Sequence, residues 1–333
     1  MRSSLRTNGL CLALFCFLST QTAAARELRI SHQFHPENDS RGRAAQVFAA
    51  EVTRQAPELK ISIHPQLSVG LTRDGQLDAL QSGNLDFAVL PSIVLSKRVQ
   101  EFSLALLPGL VPTLATARAL KGSQIHARLQ DIAAAHELRI VTWWWMRGGF
   151  ATTKVGAISP ASVSGLKFQS CGLMQDLLSD AGAQRGDDPA SEIPMLLDMD
   201  ALDGVAVPYE EFVALGLHEH TKLATFGGPA LVMCFSPVLM SKKTWDALTP
   251  KQQRAVEQAA AASDAFFENA QVEVEQRALA AFQRAGAAVR RLTDSEYASW
   301  SQLARETVWA RYAGASPVSR DLVKAAISRT QAP

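Results

Sequence analysis

Nine residues pair a side chain suited to holding a small molecule with a place at or just past the end of an expected strand: Gln33, Ser92, Trp145, Arg147, Phe150, Gln169, Cys171, Val207 and Tyr209. Gln33, Ser92, Gln169 and Tyr209 offer neutral hydrogen bonds, Arg147 a permanent positive charge, and Trp145 and Phe150 ring faces for stacking. Reactive machinery is missing around them. A catalytic Cys171 would need a partnered histidine, and His218 and His220 are far away in sequence. No nucleophile elbow, phosphate-cradling glycine loop or dinucleotide fingerprint occurs. His32 with His35, and His218-Glu219-His220, lack a helix-borne zinc spacing, so neither a metal nor another cofactor is expected. The acid pairs Asp187-Asp188 and Glu210-Glu211 read as solvated loop or helix-start charges. The set fits binding without chemistry.

Strands that alternate with helices must position these residues. Leu28 to Ser31 alternates as a strand, Arg43 to Val52 has helical spacing, and Lys60 to His64 alternates again. A helix over about Thr72 to Gln81 stops at Gly83, and the apolar run Leu85 to Leu90 ends at Pro91. The order recurs further on, with a strand at Gly165 to Gln169, helices over Leu173 to Ala181 and Ile193 to Met199, and a strand from Leu202 to Val207 before Pro208. Asp86 and Asp203 each open an apolar strand five residues before a proline, so one device is used twice. Such alternation implies parallel sheets with helices on both faces, and the repeat implies two α/β lobes.

Thr249-Pro250-Lys251-Gln252 is a strong helix start, and helix formers then continue to Gly286. Unbroken, that helix would be roughly 54 Å long, more than one lobe's breadth, so it bridges two lobes, bends or protrudes. The other possibility is two helices with a break near Ser263-Asp264. A strand over Ala287 to Leu292 and a capping box at Thr293 to Glu296 follow.

The chain has 333 residues, 47% of them hydrophobic and 20% charged, with ample apolar material for one or two cores. Lysines and arginines number 33 against 32 acids, which leaves no basic footprint for nucleic acid or anionic membrane. Arg2 and Arg6, an apolar run over Leu10 to Leu18 and Ala23-Ala24-Ala25 form a secretory leader, with cleavage expected after Ala25. Cys11 and Cys16 leave with it. Cys171 and Cys234 remain, as a disulfide or as two buried thiols in apolar strand-like stretches.

Several segments carry a resemblance. They are Leu28 to Phe34, Gln66-Leu67 leading to Leu80 through Asp86, Gly165 to Phe168, Ser191-Glu192, Leu202-Asp203-Gly204 with Pro208, and Ser241 to Trp245 before the Thr249-Pro250 helix. Together they resemble the dicarboxylate-binding type of solute-binding protein of the tripartite ATP-independent periplasmic (TRAP) transporters. The resemblance implies a two-lobed periplasmic solute-binding fold with a long helix bridging the lobes. A leader would occupy 1–25, lobe I 26–147 with about 235–270, and lobe II 148–234 with about 271–333. It further implies a periplasmic monomer that closes on a small organic acid and passes it unchanged to membrane subunits. A ligand-sensing partner of a membrane receptor, or an exported enzyme on the same scaffold, are the alternatives.

Three anchors of that family are absent. Gln169 stands where an arginine usually grips the ligand carboxylate, Phe150 or Ala151 where a second arginine follows a glycine, and Val205 to Val207 where an asparagine is usual. A neutral amide forms weaker bonds to a carboxylate than a guanidinium does. Arg147 is the nearest replacement cation, facing either the cleft or solvent. Along a strand, Trp143-Trp144-Trp145 would bury one face and turn the other to cleft or solvent. The expected ligand is therefore less acidic or more aromatic than the family norm, or still an ordinary organic acid held by Arg147 and backbone N–H groups.

Overall fold

The computed structural model describes residues 26–330, so the expected leader and its two cysteines lie outside the described residues. Among the described residues ten strands form a mixed sheet system: β1 (Arg26–His32), β2 (Leu59–His64), β3 (Phe87–Val89), β4 (Leu138–Thr152), β5 (Lys167–Ser170), β6 (Gln184–Arg185), β7 (Gly204–Pro208), β8 (Leu223–Thr225), β9 (Met233–Ser241) and β10 (Ala288–Arg290). The spatial order is β2-β1-β3-β9-β4-β7-β5-β6, with β8 and β10 attached beside β4.

β1 pairs in parallel with β2 and β3, and β5 in parallel with β6 and β7. The sheets are not parallel throughout, as the alternation implied. β9 runs antiparallel to β3, and β4 runs antiparallel to β9, β7 and β8. The 15-residue β4 belongs to both halves: Leu138 to Arg147 pair with β9, and Gly148 to Thr152 with β7. Gly148 and Gly149 mark the changeover. A Cβ there would come within 2.2 Å of the Val207 carbonyl oxygen or 2.3 Å of that of Thr225, so only glycine lets the neighbouring strands approach.

The repeated aspartate has a structural role. Asp86 accepts the Arg29 N–H of β1 at 2.8 Å, and Asp203 accepts the Lys167 N–H of β5, also at 2.8 Å. Each carboxylate thereby extends a parallel ladder by one bond before its own strand starts. Ile30 then faces Phe87, and Phe168 faces Gly204.

The helix Pro250–Arg284 is unbroken, about 52 Å long at 1.5 Å per residue, and starts in the capping box of Thr249 and Gln252. Val256, Ala259, Ala260 and Phe267 pack into the first lobe's core, and Val274, Ala278 and Phe282 into the second's. Ser263 and Asp264 continue the helix; the Ser263 hydroxyl donates to the Ala260 carbonyl and Asp264 accepts from Thr142 and Lys121. No helix among the described residues is long and apolar enough to cross a membrane.

Candidate ligand cleft

Two pairs of parallel strands, β1 with β3 and β5 with β7, end around one cavity of about 320 Å³. Gln33 follows β1, Pro91 and Ser92 follow β3, Cys171 and Gly172 follow β5, and Val207 and Pro208 close β7. Crevices beyond the carboxyl ends of parallel strands are where open α/β sheets hold ligands. The connecting strands supply Met146 from β4, and Cys234, Phe235 and Ser236 from β9. A wider groove of about 600 Å³ runs along the last turns of the bridging helix. None of its lining residues carries a buried polar atom without a partner, whereas four residues of the strand-end cavity do: Gln33 Oε1, Gln169 Oε1, Glu211 Oε2 and Ser236 Oγ. Unmet buried polar atoms cost stability, and in the strand-end cavity they include acceptors and a hydroxyl that a ligand's hydrogen-bonding groups can satisfy.

The electrostatic centre of this cavity is Arg41, in the first turn of the helix Ser40–Gln55. Asp39 caps that helix by accepting the Arg41 backbone N–H, then takes a fork from the same residue's Nε at 2.8 Å and Nη2 at 2.6 Å. The guanidinium lies 3.8 Å above the Phe34 ring and 3.7 Å from Glu211 on the opposite lobe. Burial works against its charge, but the bonds to Asp39 and the nearby Glu211 and Glu210 outweigh that and keep it protonated. Glu210 reaches across as well, accepting the Ser40 N–H at 2.8 Å and its hydroxyl at 3.0 Å, with Gln271 of the bridging helix 3.4 Å away. The Glu210-Glu211 pair is thus an interlobe contact, not the solvated helix-start pair its sequence suggests.

Burial raises the Glu211 carboxyl to about 7 from 4.5, helped by Asp39 and Glu210 and opposed by Arg41. The folded chain therefore binds more protons than the unfolded one between about 4.5 and about 7, so this residue's contribution to stability falls as pH rises through that window. Thermal melts from pH 4 to 8 should show this slope, and Glu211→Gln should flatten it. An unchanged slope in the variant would assign the titration to another group.

Of the nine sequence-derived candidates, Gln33, Ser92, Gln169, Cys171 and Val207 line the cavity. The other four do not. Arg147 turns to the bridging helix, donating to Glu275 at 3.0 Å and to the Gly228 carbonyl at 2.9 Å. Neighbours on a strand point to opposite faces, so Met146 takes the cleft side. Trp145 packs against Phe235 with ring centroids 4.9 Å apart, and Trp144 stacks on Phe267 at 5.3 Å. All three consecutive tryptophans are buried, because at their positions β4 is an inner strand covered on both faces, so none of the three rings lines the cavity. Phe150 stacks on Trp300, and Tyr209 donates to the Thr225 carbonyl while stacking on Phe226.

Gln169 donates its amide N–H to the Asp188 carbonyl at 2.7 Å, leaving Oε1 without a partner. Elsewhere, His220 is bonded to Asp198 at 2.8 Å, and no cluster of three metal-ligating side chains occurs among the described residues. Reading the sequence missed Arg41, Glu211, Met146 and Ser236; the one local signal was Asp39 as a helix cap directly before Ser40-Arg41.

Residues 30–314 match the family described as bacterial extracellular solute-binding protein, family 7. The chain belongs to that family. A solute-binding protein of Albidiferax ferrireducens is 30% identical over 305 residues, covering 90% of this chain and 89% of the relative. The crystal structure of a TRAP periplasmic solute-binding protein from Rhodoferax ferrireducens with bound malonate superimposes with a TM-score of 0.82 at 28% identity, covering 90% of this chain and 97% of that one. One from Sulfitobacter sp. NAS-14.1 with bound β-D-galacturonate shares the fold at a TM-score of 0.77 and 19% identity, over 90% and 99% of the two chains. The two-lobed architecture of family 7 is therefore this chain's architecture. As a family 7 member it is a solute-binding protein, and the strand-end cavity is its candidate solute site.

Proposed function

We propose that this family 7 protein is exported to the periplasm by a cleaved leader over residues 1–25, captures a weakly acidic or aromatic organic molecule between its lobes, and hands it unchanged to the membrane subunits of a TRAP transporter. Family 7 membership and the likeness to a malonate-bound TRAP protein support the handover to membrane subunits. The atypical ligand rests on one observation: Arg41, the buried cation of the cavity, is already forked to Asp39 and faced by Glu211. A second carboxylate on the ligand would meet a charge balance that is already acidic, and the other lining cation, Arg73, is exposed. Gln169, Gln33 and Ser236 supply neutral hydrogen bonds, and Phe34, Met146 and Phe235 supply apolar or aromatic contact. Closing the lobes on a ligand is a hinge motion whose free energy comes from contacts made to both lobes at once.

Titration calorimetry on the chain from Arg26 onward tests this. Malonate, a C4-dicarboxylate, benzoate-type mono-acids and their neutral amides form the panel. Mono-acids with an apolar or aromatic body should bind at least tenfold more tightly than either dicarboxylate, a difference of about 1.4 kcal/mol. If the C4-dicarboxylate is the tightest ligand of the panel, the assignment of an atypical ligand fails.

A further inference from the structure

We propose that Cys171 and Cys234 form a reversible disulfide that joins the two walls of the cleft. Their sulfurs lie 3.6 Å apart, and both residues line the cavity. They come from different halves of the molecule: Cys171 follows β5 of the second, whereas Cys234, one residue short of the return to lobe I expected at about 235, already lies in β9, opposite Met146 of β4. A disulfide needs the sulfurs about 2 Å apart, which rotation of two side chains already in contact can supply. Among the described residues these are the only cysteines, so the pair has no competing partner there. An exported chain also meets an oxidising compartment.

The two thiols are chemically unequal. Cys171 caps the helix Gly172–Asp180, a place that favours a thiolate, and the hydrogen bond with Cys234 lowers its pKa while burial opposes. Cys234 is shifted upward by that same bond and by burial. Cys171 is thus the attacking sulfur and Cys234 the resolving one. With a small-molecule disulfide as oxidant, the Cys171 thiolate attacks one of its sulfurs, forms a mixed disulfide and expels one thiolate. Cys234 then loses its proton, attacks the Cys171 sulfur and releases the second half of the oxidant. Two S–H bonds and the oxidant's S–S bond are broken, one S–S bond forms in the protein, and the oxidant leaves as two thiols carrying the two electrons and two protons. The product ties the turn before the helix Gly172–Asp180 to β9 and fixes the spacing of the cleft walls. The cross-link does not depend on which ligand the cleft holds.

The chain from Arg26 onward, equilibrated with oxidised glutathione, should lose about 2 Da and show no titratable thiol in denaturant, and dithiothreitol should restore both. The oxidised form should melt about 5 °C higher than the reduced one, since the bond closes a long loop. Amides of residues 170–178 and 233–238 should exchange at least tenfold more slowly when oxidised. In a Cys171→Ser/Cys234→Ser double variant neither melting nor exchange should respond to dithiothreitol. Two thiols surviving the oxidant, glutathione adducts that never resolve into an internal bond, or the same melting response in the double variant would each overturn the proposal. Should the double variant fail to fold, mass and thiol count of the unsubstituted chain decide alone.

Discussion

Arg41→Met should abolish solute capture and lower the stability of the folded chain by about 3–5 kcal/mol, the usual effect of removing one partner from a buried ion pair. Methionine keeps the apolar contact with Phe34, so the loss isolates the charge and its fork. Asp39 would keep the Arg41 backbone N–H and with it the helix cap, but lose both guanidinium bonds. Glu211 and Glu210 would face Asp39 across the lobes without compensation. Arg41→Lys should fall between, because an ammonium restores charge but not the two-pronged geometry. Urea denaturation followed by Trp fluorescence, with calorimetry using the best ligand of the acid panel, measures both effects. An Arg41→Met protein with unchanged midpoint and unchanged titration would remove Arg41 from the site.

Trp144→Ala should cost about 3–5 kcal/mol while leaving the affinity of the molecules that stay folded unaltered. The ring is buried to 1% exposure and stacks nearly parallel on Phe267, joining β4 to the bridging helix. Its indole N–H has no partner among the described residues, so packing alone is lost. Trp144 is not among the residues lining the cavity, which is why binding should survive. A large drop in affinity with little change in the denaturation midpoint would mean that the ring acts on the cleft.

Elements that depend on neighbouring residues were legible in the sequence. The alternation of Leu28 to Ser31 and Lys60 to His64 gives β1 and β2, Gly83 stops the helix Arg73–Ser82 in a left-handed turn, and the two capping boxes start the helices at Pro250 and Asp294. The strand-end logic also carried Gln33, Ser92, Gln169, Cys171 and Val207 to one cavity. What failed depends on partners distant in the chain. β4 shows no alternation between Trp143 and Phe150 because both its faces are covered, so nothing local tells which parity turns to the cleft, and Met146 lines it where Arg147 is expected. Glu211 reads as a solvated loop or helix-start charge, and nothing in the sequence beyond the Asp39 cap singles out Arg41. Arg41 becomes buried and Glu211 half-buried only because segments 170 residues apart, Ser40 and Glu210, are brought into contact when the lobes meet.

Among the described residues the chain passes between the halves repeatedly: inside β4 at Arg147-Gly148, between β8 and β9, along the helix Pro250–Arg284, and again before the helix Pro317–Thr330, which packs on the first half's helix Gln124–Ala135. No single scission can therefore release an autonomous half. A fragment ending at Arg147 would lack β9, the partner of its own longest strand, and grafting one lobe onto a cousin would require a matched splice at every crossing. New specificities in such a body plan are most accessible through point changes at the strand mouths, with the skeleton inherited whole.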